Sequence, residues 1–202
     1  MKALLLCAGF GKRLRPYTNK TSKCLLKLNG KPLLYYWINV LFSSGVDEIL
    51  VNTHHYSEKI EKFIMGTKFS HKIKIVYEKT LLGTAGTIIR NRNFFNKSDF
   101  FVAHADNYCV CNLREFINAH YSRPNQTIMT MMTFNTDNPK KCGIVKLDQN
   151  KILKEFVEKP KNTSNSLANA AIYVMNKKIC YYLLKIKNQK PDISHDLIPL
   201  LK

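Results

Sequence analysis

A glycine-rich stretch with three nearby cations lies close to the start of the 202-residue chain. It reads LCAGFGKRLRP over residues 6–16, and Gly9 and Gly11 are followed by Lys12, Arg13 and Arg15. Glycines let a loop direct its backbone amides at a ligand, and cations beside such amides neutralise negative oxygens. The pattern therefore predicts a loop that binds phosphate.

Two common phosphate-binding motifs do not fit this stretch. The Walker pattern requires Ser or Thr after Gly-Lys and a glycine further upstream, but Arg13 and Leu6 occupy these positions. The dinucleotide fingerprint requires a third glycine where the chain has Leu14. Taken alone, the stretch is equally compatible with a simple glycine turn whose cations are solvated.

Strands and helices alternate in the region that must position this loop. Apolar runs at 2–7, 48–52, 74–77 and 100–103 are typical of buried strands, and segments of helical period lie between them. After about residue 124, strands at 127–133, 144–147, 152–157 and 170–175 follow one another with less helix between them. The order predicts an α/β fold, namely a Rossmann-like three-layer α/β/α arrangement with a mixed, mainly parallel central sheet. We expect a single domain over residues 1–202.

The composition restricts the class of protein and its partners. The net charge of +18 favours anionic partners, but the lysines are dispersed along the chain, which is typical of a generally basic composition rather than of one binding patch. No apolar run is long enough to span a bilayer, and the first one is too short for a signal peptide, so we expect a cytoplasmic protein with no membrane insertion. The six cysteines are then expected to be reduced thiols. Cys109 and Cys111 are one residue too close for the usual zinc spacing.

The run CAGFGKRLRPYTNKTSKCLLKLNGKPLL, residues 7–34, resembles the signature of the sugar-1-phosphate nucleotidylyltransferases. The matched positions are Arg13-Leu14, Pro16, Thr18, Ser22-Lys23 and Lys31-Pro32. Later segments resemble the same family in the same order, and they are LLGTAGT (81–87), AHADN (103–107), CGIVKLD (142–148), FVEKP (156–160) and NAAIYVMN (169–176). The resemblance covers nearly the whole chain.

The resemblance implies a reaction in which a sugar-1-phosphate oxygen attacks the α-phosphorus of a nucleoside triphosphate and expels pyrophosphate. It further implies a nucleotide-binding half over 1–123 and a sugar-phosphate-binding half over 124–202. By family position, Arg13 clamps the leaving phosphates, Lys23 neutralises the α-phosphate and Asp106 holds Mg²⁺. The other implied nucleotide contacts are Ala8, Gly9, Gly11, Lys12, Gly83, Thr84 and Gly86.

For the acceptor, the resemblance implies that Lys159 binds the sugar phosphate. Glu158, Asn169 and the backbone amide of Gly143 then address the sugar hydroxyls. Asp196 stands where the family has a second metal-binding aspartate. Within the segment ISHDLIP, however, Ser194 or Asp196 is also suited to cap a terminal helix.

The sequence does not decide which nucleoside triphosphate and which sugar phosphate the protein uses. We favour GTP with mannose- or heptose-1-phosphate, and a uridylyl- or thymidylyl-transferring member of the same family is the alternative. A non-catalytic nucleic-acid-binding protein is a further alternative because of the high charge, although no nucleic-acid partner is expected. The resemblance is also compatible with a homo-oligomer.

Overall fold

The computed structural model describes residues 1–201 and contains ten strands and seven α-helices in that range. In chain order the strands are β1 (Lys2–Leu6), β2 (Lys27–Leu28), β3 (Lys31–Pro32), β4 (Glu48–Thr53), β5 (Ile73–Tyr77), β6 (Phe100–His104), β7 (Met129–Asn135), β8 (Gly143–Leu147), β9 (Leu153–Glu158) and β10 (Leu167–Met175). The helices are α1 (Leu33–Ser43), α2 (Ser57–Met65), α3 (Thr84–Arg90), α4 (Arg92–Phe95), α5 (Leu113–Tyr121), α6 (Ile179–Leu183) and α7 (Ile198–Leu200), and a π-helical turn spans Ile193–Leu197.

The first predicted strand lies at the centre of a parallel group. β1 pairs in parallel with β4 on one side and β6 on the other, and β4 pairs in parallel with β5. In this register Leu6 lies opposite both Asn52 and His104. The residues that follow these three strand ends are therefore brought to one edge of the sheet.

Both faces of this parallel group are covered by helices. Ala3 and Leu5 of β1 belong to a core cluster with α1, α2 and α5, whereas Leu4 and Leu6 belong to a second cluster with α3, α4, α6 and α7. Alternate side chains of one strand thus enter different cores, which is why the run 3–6 is apolar throughout and almost entirely buried. Helices on both faces of the sheet make up the three layers that the sequence predicted.

The second half of the sheet is antiparallel and centres on β10. Its residues Ile172–Met175 pair with β6, its opposite edge pairs with β7, and its earlier residue Ala168 pairs with Ile144 of β8. The pairing with β7 is interrupted between Asn169 and Tyr173, where Ala171 adopts a left-handed conformation with φ of 55°. Since β10 runs antiparallel to β6, its first residues extend past the carboxyl end of β6 and carry the β8–β9 hairpin there.

The α/β class and the mixed sheet are confirmed, but the sheet is less parallel than predicted. Within the described residues, three of the seven pairings of the large sheet are parallel and four are antiparallel. The strands of the second half are joined by short connections, and only antiparallel pairing permits such connections. Among the described helices, none has the length and apolar character that crossing a bilayer would require.

Candidate active site

The glycine-rich loop follows β1 and is fixed by hydrogen bonds to its neighbours. The backbone N–H of Cys7 donates to Asn52 Oδ1 at 2.8 Å, and the Thr18 hydroxyl donates to the carbonyl oxygen of Gly11 at 2.9 Å. Gly11 has a φ of 63°, and a Cβ there would lie 3.0 Å from Thr18 Cγ2, so both conformation and space favour glycine. The following turn leaves the side chains of Lys12 and Arg13 exposed. The loop therefore has a fixed backbone and two exposed cations, of which Lys12 lies over the Phe10 ring at 5.2 Å from its centroid.

A cavity of about 650 Å³ opens beside this loop, at the carboxyl end of the parallel strands. This volume lies in the range typical of small-molecule sites. Open α/β sheets bind ligands at this edge. Nine of the predicted nucleotide and catalytic residues line the cavity, namely Ala8, Gly9, Gly11, Lys12, Arg13, Lys23, Gly83, Thr84 and Asp106. Gly86 lies outside the lining and stands against Pro191, with a hypothetical Cβ 3.4 Å from Pro191 Cδ.

Lys23 and Asp106 form an ion pair at the cavity wall. Lys23 begins a short turn after the glycine-rich segment, and Asp106 follows the end of β6 by two residues. Their Nζ and Oδ2 atoms are 2.5 Å apart, and each side chain is a little under one-third exposed. Such a pair contributes little to stability. The significance of the pair is that it places a cation and a carboxylate together beside the glycine-rich loop.

A buried carboxylate that the sequence reading did not single out also lines the cavity. Glu78 follows β5 and is 5% exposed. Its Oε1 accepts hydrogen bonds from Asn52 Nδ2 at 2.8 Å and from the Thr87 hydroxyl at 2.5 Å, and its Oε2 accepts from the backbone N–H of Leu82 at 3.2 Å. The signal in the sequence was Asn52, a polar residue directly after the apolar run Ile49–Val51, because a buried polar residue requires a partner.

His104, the last residue of β6, is a second cavity residue that was not predicted. Burial lowers the pKa of its imidazole, the nearby Asp106 and Asp192 carboxylates oppose this shift, and Lys23 reinforces it. The cavity wall beside Asp106 therefore carries a neutral imidazole at neutral pH.

Three of the predicted acceptor-binding residues lie together on the β8–β9 hairpin. Gly143 is paired with Glu158, and Lys159 follows with its Nζ 3.6 Å from Glu158 Oε1. A Cβ on Gly143 would approach Glu158 Oε2 and the Phe156 ring to 2.6 Å, so glycine makes room for this carboxylate. Lys159 has a φ of 48° and an exposed side chain. Within the part of the chain that the structure describes, these residues lie outside the cavity lining.

Asn169 is held at the bulge of β10 by its own side chain. Its Oδ1 accepts from the backbone N–H of Ala171 at 2.8 Å, and its Nδ2 donates to the Tyr173 hydroxyl at 2.7 Å. Burial raises the pKa of Tyr173 to about 12. The amide of Asn169 is therefore oriented by the bulge, on the strand that carries the β8–β9 hairpin.

Asp196 is not brought to the cavity lining. Its carboxylate accepts from the backbone N–H of Asp192 at 2.7 Å and from Asn188 Nδ2 at 3.2 Å. In return Asp192 accepts from the backbone N–H groups of Ser194 and His195, so the two aspartates cap the π-helical turn reciprocally. This geometry fits the capping alternative for Asp196, and its role as a second metal ligand stays a prediction.

The described residues contain no metal site made of His, Cys, Asp and Glu side chains alone and no disulfide. No group of three or more His, Cys, Asp or Glu side chains is arranged there to hold a metal ion by itself. All six cysteines are free thiols. A cation in the cavity would therefore depend on Asp106 together with oxygens supplied by a ligand.

The chain belongs to the nucleotidyl transferase family, whose model matches residues 2–201. Its homologues over the whole chain are sugar-1-phosphate nucleotidylyltransferases. The chain is 32% identical to mannose-1-phosphate guanylyltransferase 1 of Arabidopsis thaliana, with 98% of this chain and 55% of the relative covered. It is 28% identical to the catalytic subunit beta of mannose-1-phosphate guanylyltransferase from Drosophila melanogaster, over 98% of this chain and 53% of the relative. The chain thus spans about half the length of these curated relatives.

Solved structures share the fold. UDP-glucose pyrophosphorylase complexed with UDP-glucose superimposes with a TM-score of 0.80 at 20% identity, and 96% of this chain and 83% of that one are covered. HddC from Yersinia pseudotuberculosis complexed with GMP-PN gives a TM-score of 0.78 at 23% identity, with 98% of this chain and 85% of that one covered. At these identities the likeness establishes the architecture.

Proposed function

We propose that the chain is a Mg²⁺-dependent sugar-1-phosphate nucleotidylyltransferase that uses GTP and mannose-1-phosphate and releases pyrophosphate. The observation that carries this proposal is the convergence of the glycine-rich loop, Lys23 and Asp106 on one cavity. The similarity to mannose-1-phosphate guanylyltransferases supports the choice of base and sugar.

The reaction brings two polyanions together, and its transition state spreads charge over phosphate oxygens. Catalysis then depends on positioning and on neutralising charge rather than on covalent work by the protein. In this proposal the amides of the loop at Gly9 and Gly11 and the Arg13 guanidinium bind the leaving phosphates, and Lys23 neutralises the α-phosphate. The fixed backbone and the exposed cations of the loop suit these tasks.

Asp106 fits the requirements of Mg²⁺. This ion takes oxygen ligands and is usually held by one or two carboxylates together with substrate phosphates, so a single cavity carboxylate beside a phosphate-binding loop is sufficient. When bound, Mg²⁺ would neutralise phosphate charge during the transfer. Asp106 would hold the Mg²⁺ ion. Lys23, which is paired with Asp106 in this structure, would then bind a substrate phosphate in place of that carboxylate.

Glu78 supports guanine as the base. Its carboxylate lies in the cavity wall and can only accept hydrogen bonds when ionised. Guanine presents the N1–H and the exocyclic amino group side by side, whereas uracil and thymine have one N–H between two carbonyls. Because Oε1 already accepts from Asn52 and Thr87, a base would meet Oε2, which accepts only from Leu82. Guanine offers this oxygen either of two adjacent donors, whereas the pyrimidine N–H is flanked by carbonyl oxygens that the carboxylate repels, so the site favours guanine.

The acceptor is assigned to the β8–β9 hairpin. In this proposal the exposed Lys159 ammonium binds the sugar phosphate, and Glu158, Asn169 and the backbone N–H of Gly143 bind hydroxyls of the sugar. The hairpin extends past the carboxyl end of β6, the strand that leads to Asp106. An acceptor bound there would approach the α-phosphate from the side opposite the glycine-rich loop.

A pyrophosphate-release panel tests the proposal. GTP, UTP, dTTP and ATP would each be combined with mannose-, heptose- and glucose-1-phosphate, with Mg²⁺ and with a chelator. We expect the highest rate for GTP with mannose-1-phosphate and no release with chelator. Preference for heptose-1-phosphate or for a pyrimidine triphosphate would correct the substrate. Absence of release in every combination, together with salt-sensitive RNA binding, would overturn the enzyme assignment.

A further inference from the structure

The Cys109 sulfur contacts two other sulfur atoms at a site outside the catalytic cavity. Cys109 Sγ lies 3.5 Å from Cys111 Sγ and 3.6 Å from Met132 Sδ. The two cysteines lie in the loop between β6 and α5, and the methionine lies in β7. None of the three lines the cavity described above, so the nucleotidyl transfer proposed for that cavity does not account for them.

Two of these sulfurs are held in place by the core. Cys109 and Met132 are half-buried and pack against the cluster on the α1, α2 and α5 face of the sheet. Met132 lies opposite the bulge of β10, and the residues before and after it, Met131 and Thr133, pair with Tyr173 and Asn169, so the backbone is held next to Met132 in both chain directions. Packing of this kind lowers the ordering cost of binding an ion.

The third sulfur is open to solvent. Cys111 is exposed and follows Val110, which is 84% exposed. A metal ion or a small metal complex can therefore reach Cys111 first and then engage the two anchored sulfurs. A metal-binding site needs ligand atoms that are held in place and at least one that the ion can reach from solvent. Sulfur atoms sealed inside a core would lack the second property.

We propose that Cys109, Cys111 and Met132 bind one soft monovalent metal ion, with Cu(I) as the natural candidate. Thiolates and thioethers are the ligands that select Cu(I). Each thiol that binds transfers its proton to the buffer, and no change of oxidation state is involved. The proposal is independent of the function assigned to the cavity.

The ligand set disfavours zinc. Structural Zn²⁺ requires four ligands, usually Cys and His in tetrahedral geometry. The described residues contain no group of three or more His, Cys, Asp or Glu side chains suited to a metal, so two thiols with a thioether do not satisfy zinc. With metal–sulfur bonds of about 2.3 Å, as in zinc thiolates, three sulfurs around one ion would lie roughly 4 Å apart. The two separations from Cys109, 3.5 Å to Cys111 Sγ and 3.6 Å to Met132 Sδ, would need only a small expansion, and the exposed Cys111 side chain would supply the third side by turning towards Met132.

Competition for the metal tests the proposal. The reduced protein would be titrated anaerobically with Cu(I) against a colorimetric Cu(I) chelator, and with Ag(I) as a redox-inert substitute, while native mass spectrometry counts bound ions. Wild-type protein is expected to bind one ion. Cys111→Ser removes an exposed ligand without disturbing the core and should lower the affinity roughly tenfold or more. Met132→Leu conserves volume and should give a smaller loss.

Cys180→Ser is the matched control, because Cys180 is a free and half-buried thiol located elsewhere in the chain. It should bind Cu(I) and Ag(I) as the wild type does. Equal affinity of wild type and Cys111→Ser would overturn the site. If Cys180→Ser lost as much Cu(I) affinity as Cys111→Ser, the metal would be binding to accessible thiols anywhere in the chain rather than to this site. Zinc binding as tight as that of Cu(I) would overturn the assignment to a soft monovalent ion.

Discussion

The parallel and antiparallel parts of the sheet bring their predicted site residues together in different ways. In the parallel part, residues far apart in sequence reach one cavity, because Leu6, Asn52 and His104 lie side by side at the ends of adjacent strands. In the antiparallel part, Gly143, Glu158 and Lys159 meet only through the local pairing of one hairpin. Parallel strands thus assemble a site from the whole chain, whereas a hairpin assembles one from its own two strands.

The two parts also differ in how firmly they are held. β1 is almost entirely buried between two cores, whereas the β8–β9 hairpin is buried only at the start of β8, at residues 143–145, and is exposed at Lys146, Leu147 and Val157. Among the described residues, the hairpin pairs with β10 only at Ala168 and Ile144. Segments with few buried contacts open at lower free energy than core strands. We infer that the nucleotide side of the site is preorganised and that the acceptor side can adjust.

The largest expected effect comes from Asp106→Asn in the parallel part. Asparagine keeps the shape but removes the negative charge that would hold Mg²⁺, and charge stabilisation by a metal is worth several kcal/mol. We therefore expect kcat/KM to fall by roughly a thousandfold. The fall should be similar for every sugar phosphate, since the change affects the step that all acceptors share. Pyrophosphate release measures it.

Circular dichroism and urea unfolding provide the control for this variant. The Lys23–Asp106 pair is partly exposed, so its loss should change the free energy of unfolding by about 1 kcal/mol or less. Turnover at the wild-type rate by a folded Asp106→Asn protein would contradict the metal assignment.

Two glycine substitutions compare the rigidity of the two parts directly. Gly83 has φ of 82° and ψ of 160°, a region that is essentially restricted to glycine, and a Cβ there would lie 2.8 Å from the carbonyl oxygen of Lys190. Gly83→Ala should therefore cost about 3 kcal/mol or more of unfolding free energy, because backbone strain adds to a clash with fixed backbone. At Gly143 the neighbouring atoms belong to the side chains of Glu158 and Phe156.

Gly143→Ala is accordingly expected to cost only about 1–2 kcal/mol, since side chains can move where backbone cannot. Urea unfolding of both variants, with the m-value checked for constancy, gives the comparison. An equal or larger loss for Gly143→Ala would show that the hairpin is as rigid as the parallel part.

The next prediction isolates the acceptor side. Lys159 has a positive φ, so Lys159→Asn removes the charge while keeping a residue that tolerates this backbone conformation. Loss of a hydrogen bond from a charged group to a phosphate should raise the KM for mannose-1-phosphate roughly ten- to a hundredfold. The KM for GTP should stay unchanged. Lys161→Asn makes the same charge change at an exposed neighbouring position and should leave both KM values near wild type. A rise in the KM for GTP in Lys159→Asn would place this lysine on the nucleotide instead.

The sequence predicted the strands of the parallel part of the sheet well and the pairing of the antiparallel part less well. Apolar runs predicted β1, β4, β5 and β6. The pattern is clearest for β1, β4 and β6, which are buried on both faces, whereas the edge strand β5 is partly exposed. The predicted nucleotide residues reached one cavity because the register of parallel strands fixes where they end. The share of antiparallel pairing was underestimated, since strand direction depends on connections that periodicity does not report.

Single residues were missed where their role depends on a distant partner. Glu78 is buried because Asn52 and Thr87, on other elements, supply its hydrogen bonds, and no spacing in the sequence records this. Asp196 matched a family position, yet its geometry is decided by Asp192 four residues earlier. The pattern D-x-x-x-D at the start of a helical segment was the available signal for a reciprocal cap.

The smallest expected effect concerns acid stability and compares two histidines. Burial lowers the pKa of His104 in the cavity, and burial, aided by Arg123 and opposed by Asp99, lowers that of His120 beneath β7. As pH falls through 6.5, the ordinary value, the unfolded chain takes up protons that the folded chain does not, so stability is greatest above 6.5 and is lost below it. His104→Asn should therefore lose less unfolding free energy than wild type between about pH 7.5 and about pH 5.5, as measured by urea unfolding. The variant keeps His120, so part of the slope should remain. Identical slopes in the two proteins would mean that the cavity imidazole takes up its proton as readily in the folded chain as in the unfolded one.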